Sequence, residues 1–497
     1  MGEQSTKGKQ LVSPESIERL IKQSKTMGLA SEKLLDDIEY AKTTLDTGSS
    51  NNSQLLKFMQ FVYELVSGSI LGMNETFMGL RDLLQADSLY EKRYHMQMIN
   101  LCQVEWCKYL KGTDGNGVLT RLTNFFKDYI NDGDRGFAYL SDLQQKVKVL
   151  GGKCDLALRN MTAHYDKPFE MYNRLSVLND EDEYAQRVGM QMEIHDKILE
   201  FSNAIFAVVY SKKTPMSSST LSNKSSYVDV RTLINNRISE TFNENVDLRA
   251  ILQKQLLKAW NEVESMRKLF SLCDSMMSFL PQCNQGAISI QSLQTLVEMR
   301  WVVLFMRSDL ECAMNSYLNA SSHHERSICL HRIYGLETAA LTHLYGYNDV
   351  TRERSIWHKL EIYPEFIADS TSNKIEEQLK ILTAQMDCTR RNLHSHYREY
   401  AQLNVSKRWQ EDKNLDHIAE LMRIYRLRKL CTDLDRYVEF MLFQVQKSIY
   451  QKKCEYLGAL LKIRELCLKW NKRELVNSTD KLISLLFISN IGPKKNR

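Results

Sequence analysis

Apolar side chains return every three or four positions along almost the whole chain. Examples are Leu55, Phe58, Met59, Phe61, Val62, Leu65 and Val66, and again Leu430, Leu434, Val438, Met441, Leu442 and Val445. That period gathers them on one stripe of an α-helix, whereas a half-buried strand would alternate every second residue. The pattern predicts helices throughout. It is interrupted at 47–53 (TGSSNNS), 112–117 (GTDGNG), 131–136, 280–286 and Ile491-Gly492-Pro493. The clearest break is 211–226 (SKKTPMSSSTLSNKSS), whose Ser-rich composition reads as a linker.

Composition sharpens this picture. Six Pro and 20 Gly among 497 residues leave few helix breakers, and 43% hydrophobic with 26% charged residues is globular rather than disordered. An all-α protein of two or three packed regions is expected, and a β-sandwich or a Gly-rich nucleotide fold is not. The eleven Cys include no Cys-x-x-Cys pair and mostly fall inside apolar helical patterns. Reduced thiols in a cytoplasmic protein fit this better than a disulfide framework or zinc ribbon. No apolar run reaches the roughly 18 residues of a membrane span, and the N-terminus lacks the apolar core of a secretion signal. No membrane partner is expected. Met1-Gly2-Glu3-Gln4-Ser5-Thr6 fits the loose N-myristoylation pattern, a single acyl chain that anchors weakly.

The net charge of +5 is small for this length, but its distribution is uneven. Residues 403–497 hold 20 Lys/Arg against 11 Asp/Glu, a net +9, and the rest of the chain is at −4. This region carries Arg423, Arg426, Arg428, Lys452, Lys453, Lys472 and Arg473, with Tyr425, Tyr437, Tyr450, Tyr456 and Trp470 interleaved. Cations that track phosphates beside rings that stack on bases would bind RNA. Solvated Lys and Arg around core aromatics would give the same pattern without RNA.

A comparison of the chain with itself supplies the most informative signal. Arg159-Asn160-Met161-Thr162-Ala163-His164-Tyr165 returns as Arg391-Asn392-Leu393-His394-Ser395-His396-Tyr397, an offset of 232, and in both copies an Asp (Asp155, Asp387) stands four residues before the Arg. At the same offset Val147-Lys148-Val149-Leu150 meets Leu379-Lys380-Ile381-Leu382, and Phe125 meets Trp357. Further back, at an offset of 234, Ser88, Glu91 and Gly112 meet Ser322, Glu325 and Gly346. The chain therefore divides into an N-terminal helical segment (1–53), a first unit (54–170), a helical insert with the Ser-rich linker (171–293), a second unit (294–402) and a basic helical C-terminal region (403–497).

A bare Arg-x-x-x-x-His spacing arises by chance about once in a chain this long. Arg326 to His331 is such a decoy, with no Asn after the Arg and no counterpart in the other copy. Demanding Asn beside Arg, twice and in register, makes coincidence implausible. On a helix, Asp155 and Arg159 are one turn apart, as are Asn160 and His164, so Asp can orient the guanidinium while Asn lies beside the imidazole. A His of near-neutral pKa can take the proton from a ribose 2′-hydroxyl or give one to the leaving 5′-oxygen. A forked, permanently charged Arg suits the charge that builds on the phosphorus centre. Two copies face to face would supply both acid and base. His394 is extra, standing where the first copy has Thr162. A single Arg/His pair on a helix is ordinarily a surface ion pair or a satisfied core histidine; the doubling is what favours chemistry. No Walker loop, Gly-x-Ser-x-Gly elbow, His-Glu-x-x-His or paired-metal carboxylate cluster is present in the sequence.

The Arg-Asn-x-x-x-His signature ending a helix in an all-α unit resembles the HEPN superfamily of ribonucleases. The resemblance implies two HEPN-like helical bundles from an internal duplication, pairing within the chain or between two chains of a homodimer. It also implies a metal-independent endoribonuclease, without a cofactor, that leaves a 2′,3′-cyclic phosphate. Arg159, Asn160, His164, Arg391, Asn392 and His396 would be the catalytic set, supported by Asp155, Tyr165, Asp387 and Tyr397. Members of the superfamily occur in toxins, abortive-infection proteins and antiviral CRISPR effectors. The Ser or Ala before His and the Tyr after it are similar to type VI CRISPR nucleases, so an RNA-guided nuclease is an alternative. A non-catalytic helical scaffold that binds a partner is another.

Overall fold

The structure, a computed structural model, describes residues 53–112, 116–129, 134–162, 165, 167–210, 230–243, 247–279, 284–320, 322–363, 365–386, 414–451 and 453–488, with Glu18, Lys22 and Asp36. Among the described residues there are seventeen helices and no strand, so the protein is all-α. The helices are α1 (Ser53–Gln85), α2 (Leu89–Lys111), α3 (Val118–Tyr129), α4 (Asp134–Gly152), α5 (Leu156–Thr162), α6 (Pro168–Ser176), α7 (Glu181–Tyr210), α8 (Val230–Phe242), α9 (Leu248–Phe279), α10 (Asn284–Asn319), α11 (His323–Leu344), α12 (Asp349–Glu353), α13 (Ile356–Glu361), α14 (Ser370–Ala384), α15 (His417–Gln451), α16 (Lys453–Lys469) and α17 (Arg473–Ile488). The linker at 211–226 lies outside the described residues, and α10 begins inside the predicted break at 280–286.

Two helices organise the rest. Nearly every side chain from Tyr90 to Leu110 in α2, and every one from Trp301 to Met314 in α10, is buried. Segments with no exposed face are covered on all sides, and their buried polar groups, such as Arg93, Asn100, Glu105, Arg307 and Asp309, are placed against neighbouring helices. Around α2 this is done by α1, α3, α4 and α7, which close a core of Val62, Leu65, Trp106, Leu110, Leu122, Leu140, Leu143 and Ile198. The approach of α1 is close enough that a Cβ added to Gly68 or Gly72 would lie 2.1 Å from the rings of Tyr109 and Trp106. Around α10 the cover comes from α9, α11 and α15, and the core there continues without a break into Tyr90, Tyr94 and Met98 of α2. The core of the second half thus reaches into α2, while the core closed by α1, α3, α4 and α7 is a separate cluster.

The sequence repeat has a local structural counterpart. Ser88 caps α2 by accepting the N–H of Glu91 at 3.1 Å, and Ser322 caps α11 by accepting that of Glu325 at 3.1 Å. Both helices are followed by a glycine in a backbone conformation closed to other residues, Gly112 at φ 80° and Gly346 at φ 79°. Between the halves, Arg81 donates to Glu325 at 3.1 Å and Asn315 donates to Glu91 at 2.9 Å. Position 315 follows 81, and 325 follows 91, by the same 234 residues. One contact is thus made twice with the partners exchanged, the signature of a two-fold interface. The relation extends to α7 and α15. Arg187 reaches Gln103 and Asn100 at 3.0 and 2.8 Å, while Arg423 pairs with Glu337 at 2.8 Å and covers the Tyr334 ring at 5.6 Å. Tyr334 and Glu337 again follow Asn100 and Gln103 by 234.

Two expected boundaries are corrected by this packing. Helix α7, assigned to an insert at 171–293, belongs with the first core, and α15, assigned to an appendage at 403–497, belongs with the second. The charge count misplaced the second boundary because α15 buries Leu421, Ile424, Leu427, Leu434, Val438 and Met441 on one stripe and carries its Lys and Arg largely on the others. Replacing Gly112 or Gly346 with Ala is expected to destabilise the fold by about 1–3 kcal/mol each. The added Cβ would also meet backbone nitrogen at 2.3 or 2.4 Å. Urea denaturation of the two variants measures this, and unchanged midpoints would show that the turns relax freely.

Candidate functional site

The first motif begins on α5, a short helix held at its start by the middle of α2. Asn100 donates to the Asp155 carbonyl at 2.8 Å and accepts the Asp155 N–H at 2.9 Å, and Arg187 fixes the Asn100 amide from the other side. The Asp155 carboxylate then caps α5, Oδ1 accepting the N–H groups of Ala157 and Leu158 at 2.9 and 3.0 Å. Its other oxygen accepts from Arg174 at 3.3 Å. The expected pairing of Asp155 with Arg159 is therefore not what is found. An aspartate just before a helix turns its carboxylate onto the first free N–H groups, which directs it away from a side chain one turn on.

Arg159 is held instead by Glu105 of α2. Its Nε and Nη2 donate to Glu105 Oε1 at 2.7 and 2.6 Å, and Lys108 approaches the same oxygen at 3.5 Å. Glu105 is buried, whereas the Arg159 side chain keeps 22% of its surface exposed. A partly exposed guanidinium held in place by a buried carboxylate is the kind of group that recognises anions. Glu105→Gln is expected to lower stability by about 1–3 kcal/mol, since the guanidinium loses its charged acceptor. Equilibrium unfolding checks this.

Tyr165, directly after His164, reaches across to the other half. It is buried, and its hydroxyl donates to Asp309 Oδ2 of α10 at 2.8 Å, while Tyr90 donates to Asp309 Oδ1 at 2.8 Å. The Tyr165 N–H points to His343 Nε2 of α11 at 3.4 Å, with the two rings edge to face at 6.1 Å. Full burial pushes the Asp309 carboxyl up to about 7, against the two hydroxyl donors, which favour its charged form. The end of the first motif is thus gripped by both repeated helices of the second half.

The side chain of Asn160, and all of His164, Asp387, Arg391, Asn392, His394, His396 and Tyr397, lie outside the described residues, so no distance between the motifs is assigned. The described chain leads to the second motif through Gln385. That residue lines a cleft of about 520 Å³ with Arg237, Tyr334, Glu337, Arg423 and Arg426.

Of the basic residues expected to bind RNA, two are corrected. Arg428 is buried, ion-paired to Glu311 at 3.1 Å and bonded to Gln255, and Arg423 is occupied by Glu337 and Glu420. Both secure α15 to its neighbours. Arg426 is exposed in the cleft, and Lys472 and Arg473 are exposed beside Trp470, itself 64% exposed. Lys452 and the Lys453 side chain lie outside the described residues. Glu105, Asn100 and Asp309 were not singled out from the sequence. Asp309 had a legible signal, a carboxylate inside the apolar run VVLFMRSDLECAM.

Among the described residues no group of three or more His, Cys, Asp or Glu side chains is arranged to hold a metal ion, and no helix is long and apolar enough to cross a membrane. No family model, curated protein or solved structure matches the chain.

Proposed function

We propose that the protein is a metal-independent endoribonuclease whose site is assembled from its two Arg-Asn-x-x-x-His motifs, in two HEPN-like bundles paired within one chain. The observation that carries this reading is the doubled motif in register. It is supported by the two-fold exchange of contacts between the repeated helices, which relates the halves in the manner a composite site needs. Within the first motif, Arg159 is anchored by Glu105 and keeps 22% of its side-chain surface exposed, and His164 precedes a tyrosine fixed by Asp309.

In the proposed reaction one His takes the 2′-hydroxyl proton, the 2′-oxygen attacks phosphorus, and the other His protonates the departing 5′-oxygen. A 2′,3′-cyclic phosphate and a 5′-hydroxyl result. The arginines stabilise the added negative charge of the transition state. RNA is held by Arg426 and by Lys472, Arg473 and Trp470. A toxin or antiviral defence role in the cytoplasm belongs to the same proposal; the alternative, a nuclease guided by a bound RNA, is distinguished by a defined small RNA that co-purifies.

A second reading is favoured by one observation. The Arg159–Glu105 and Asp155–Arg174 pairs also serve to fasten α5, as a non-catalytic scaffold would require. Incubating a mixed RNA pool with the protein in EDTA separates the two. Cleavage by wild type that is lost in His164→Ala plus His396→Ala supports the nuclease. Equal behaviour of both proteins, with no bound RNA, supports the scaffold.

A further inference from the structure

Helices α16 and α17 form a hairpin that leans on the rest of the molecule chiefly through α15 and α9. Its turn is tight: Asn471 takes φ 53°, and the Lys472 N–H donates to the Cys467 carbonyl at 2.9 Å. Among the described residues of the pair, Leu460, Cys467, Val476 and Thr479 are buried, and Ile483 packs on Leu460. That is a small core for helices of 17 and 16 residues.

Much of the apolar surface that remains falls on one side. In α16, Ala459, Ile463, Leu466 and Trp470 follow one another at intervals of four, three and four positions, which is a single helical stripe. Leu466 directly precedes the buried Cys467, and Leu475 directly precedes the buried Val476. In two antiparallel helices, the positions just before the residues that face each other lie on the same side of the pair, so Leu475 carries the stripe across onto α17. Leu466, Trp470 and Leu475 are 44, 64 and 54% exposed. None of these positions is charged, and the spacing puts Lys462, Glu465 and Lys469 round the far side of α16. The opposite side of the hairpin differs. It is crossed by the Arg464–Asp480 ion pair, which the exposed Leu461 and Leu468 flank.

We infer that the uncharged side is where two copies of the chain meet, hairpin against hairpin, as a four-helix arrangement. A lone hairpin covers one stripe of each helix, and a second hairpin covers the next. The area suffices. At about 1.5 Å per residue and about 10 Å per helix the side measures about 500 Å², so two copies bury about 1,000 Å², the size a specific interface needs. The chemistry selects this occupant. A leucine surface without charge offers nothing to a phosphate backbone, and stacking on bases uses rings rather than leucines. A second copy matches the side in length and polarity by two-fold symmetry. The inference does not rest on the ribonuclease reading. Trp470 continues the stripe to the hairpin tip, where it is also the ring proposed to meet RNA, so the substitutions that test the interface are placed at the leucines.

The oligomeric state of the full chain, measured by sedimentation over a range of micromolar concentrations, tests it. A dimer is expected. Leu466→Lys with Leu475→Lys, both at exposed positions, is expected to weaken self-association by about a hundredfold or more while helical content stays at the wild-type level. Alanine at the same two positions, which favours the helices, should weaken it by about tenfold. Leu461→Lys with Leu468→Lys, on the opposite side, should leave the dimer intact. A monomeric wild type, a dimer that survives unchanged in the Leu466 and Leu475 variants, or an equal loss in the Leu461 and Leu468 variant overturns the inference.

Discussion

His164→Ala alone is expected to lower RNA cleavage by about 10²–10⁴-fold, His396→Ala alone by a similar factor, and the double variant by scarcely more than either. The reason is the proposed composite site. If one imidazole is the base and the other the acid of a single displacement, removing either disables the same step, so the losses do not multiply. Two independent sites would behave differently, each single variant keeping about half the activity. Single-turnover cleavage of one labelled RNA by the four proteins distinguishes these outcomes. Asn substitutions at the same positions guard against loss of folding.

The second large effect is expected at Asp309. Asp309→Ala leaves the buried Tyr165 hydroxyl without its acceptor and the Tyr90 hydroxyl with only the Phe305 carbonyl at 3.4 Å, and opens a small cavity there. A buried unsatisfied hydroxyl costs about 1–3 kcal/mol and the cavity adds to it, so a loss of about 2–4 kcal/mol is expected. Urea unfolding reads this directly, and a change below about 0.5 kcal/mol would show that the Tyr165–Asp309 contact does not hold the halves together. The pH dependence has a definite sign. The folded carboxyl titrates near 7 rather than at its usual 3.8, so the folded state holds a proton that the unfolded state has released. This contribution is fully present below about pH 4 and is lost as pH rises through 7. Asp309→Asn should remove that slope while leaving the hydroxyls an amide oxygen to bond.

The helices were readable from spacing alone, because apolar period and scarce Pro and Gly act locally. The repeat was readable too, down to Ser88/Ser322 and Gly112/Gly346, since caps and left-handed turns restrict residue type at single positions. What spacing could not reveal was which partner a charged group takes. Asp155 and Arg159 are one turn apart, yet the first serves the helix end and the second pairs with Glu105, 54 positions earlier. Arg428 looked like a phosphate ligand because charge counts along a sequence do not separate a helix's buried face from its exposed one. The boundary at 402 failed for the same reason. Asp309 became meaningful only when the fold brought Tyr165 to it.

The most direct test of the central claim is the chemistry of the ends made when the wild-type protein cuts RNA in EDTA. A composite histidine site predicts 2′,3′-cyclic phosphates and 5′-hydroxyls, so that polynucleotide kinase labels the new 5′ ends without prior phosphatase, and none are formed by the double His variant. Fragments with 5′-phosphates and 3′-hydroxyls, or cleavage that persists in the double variant, would contradict it.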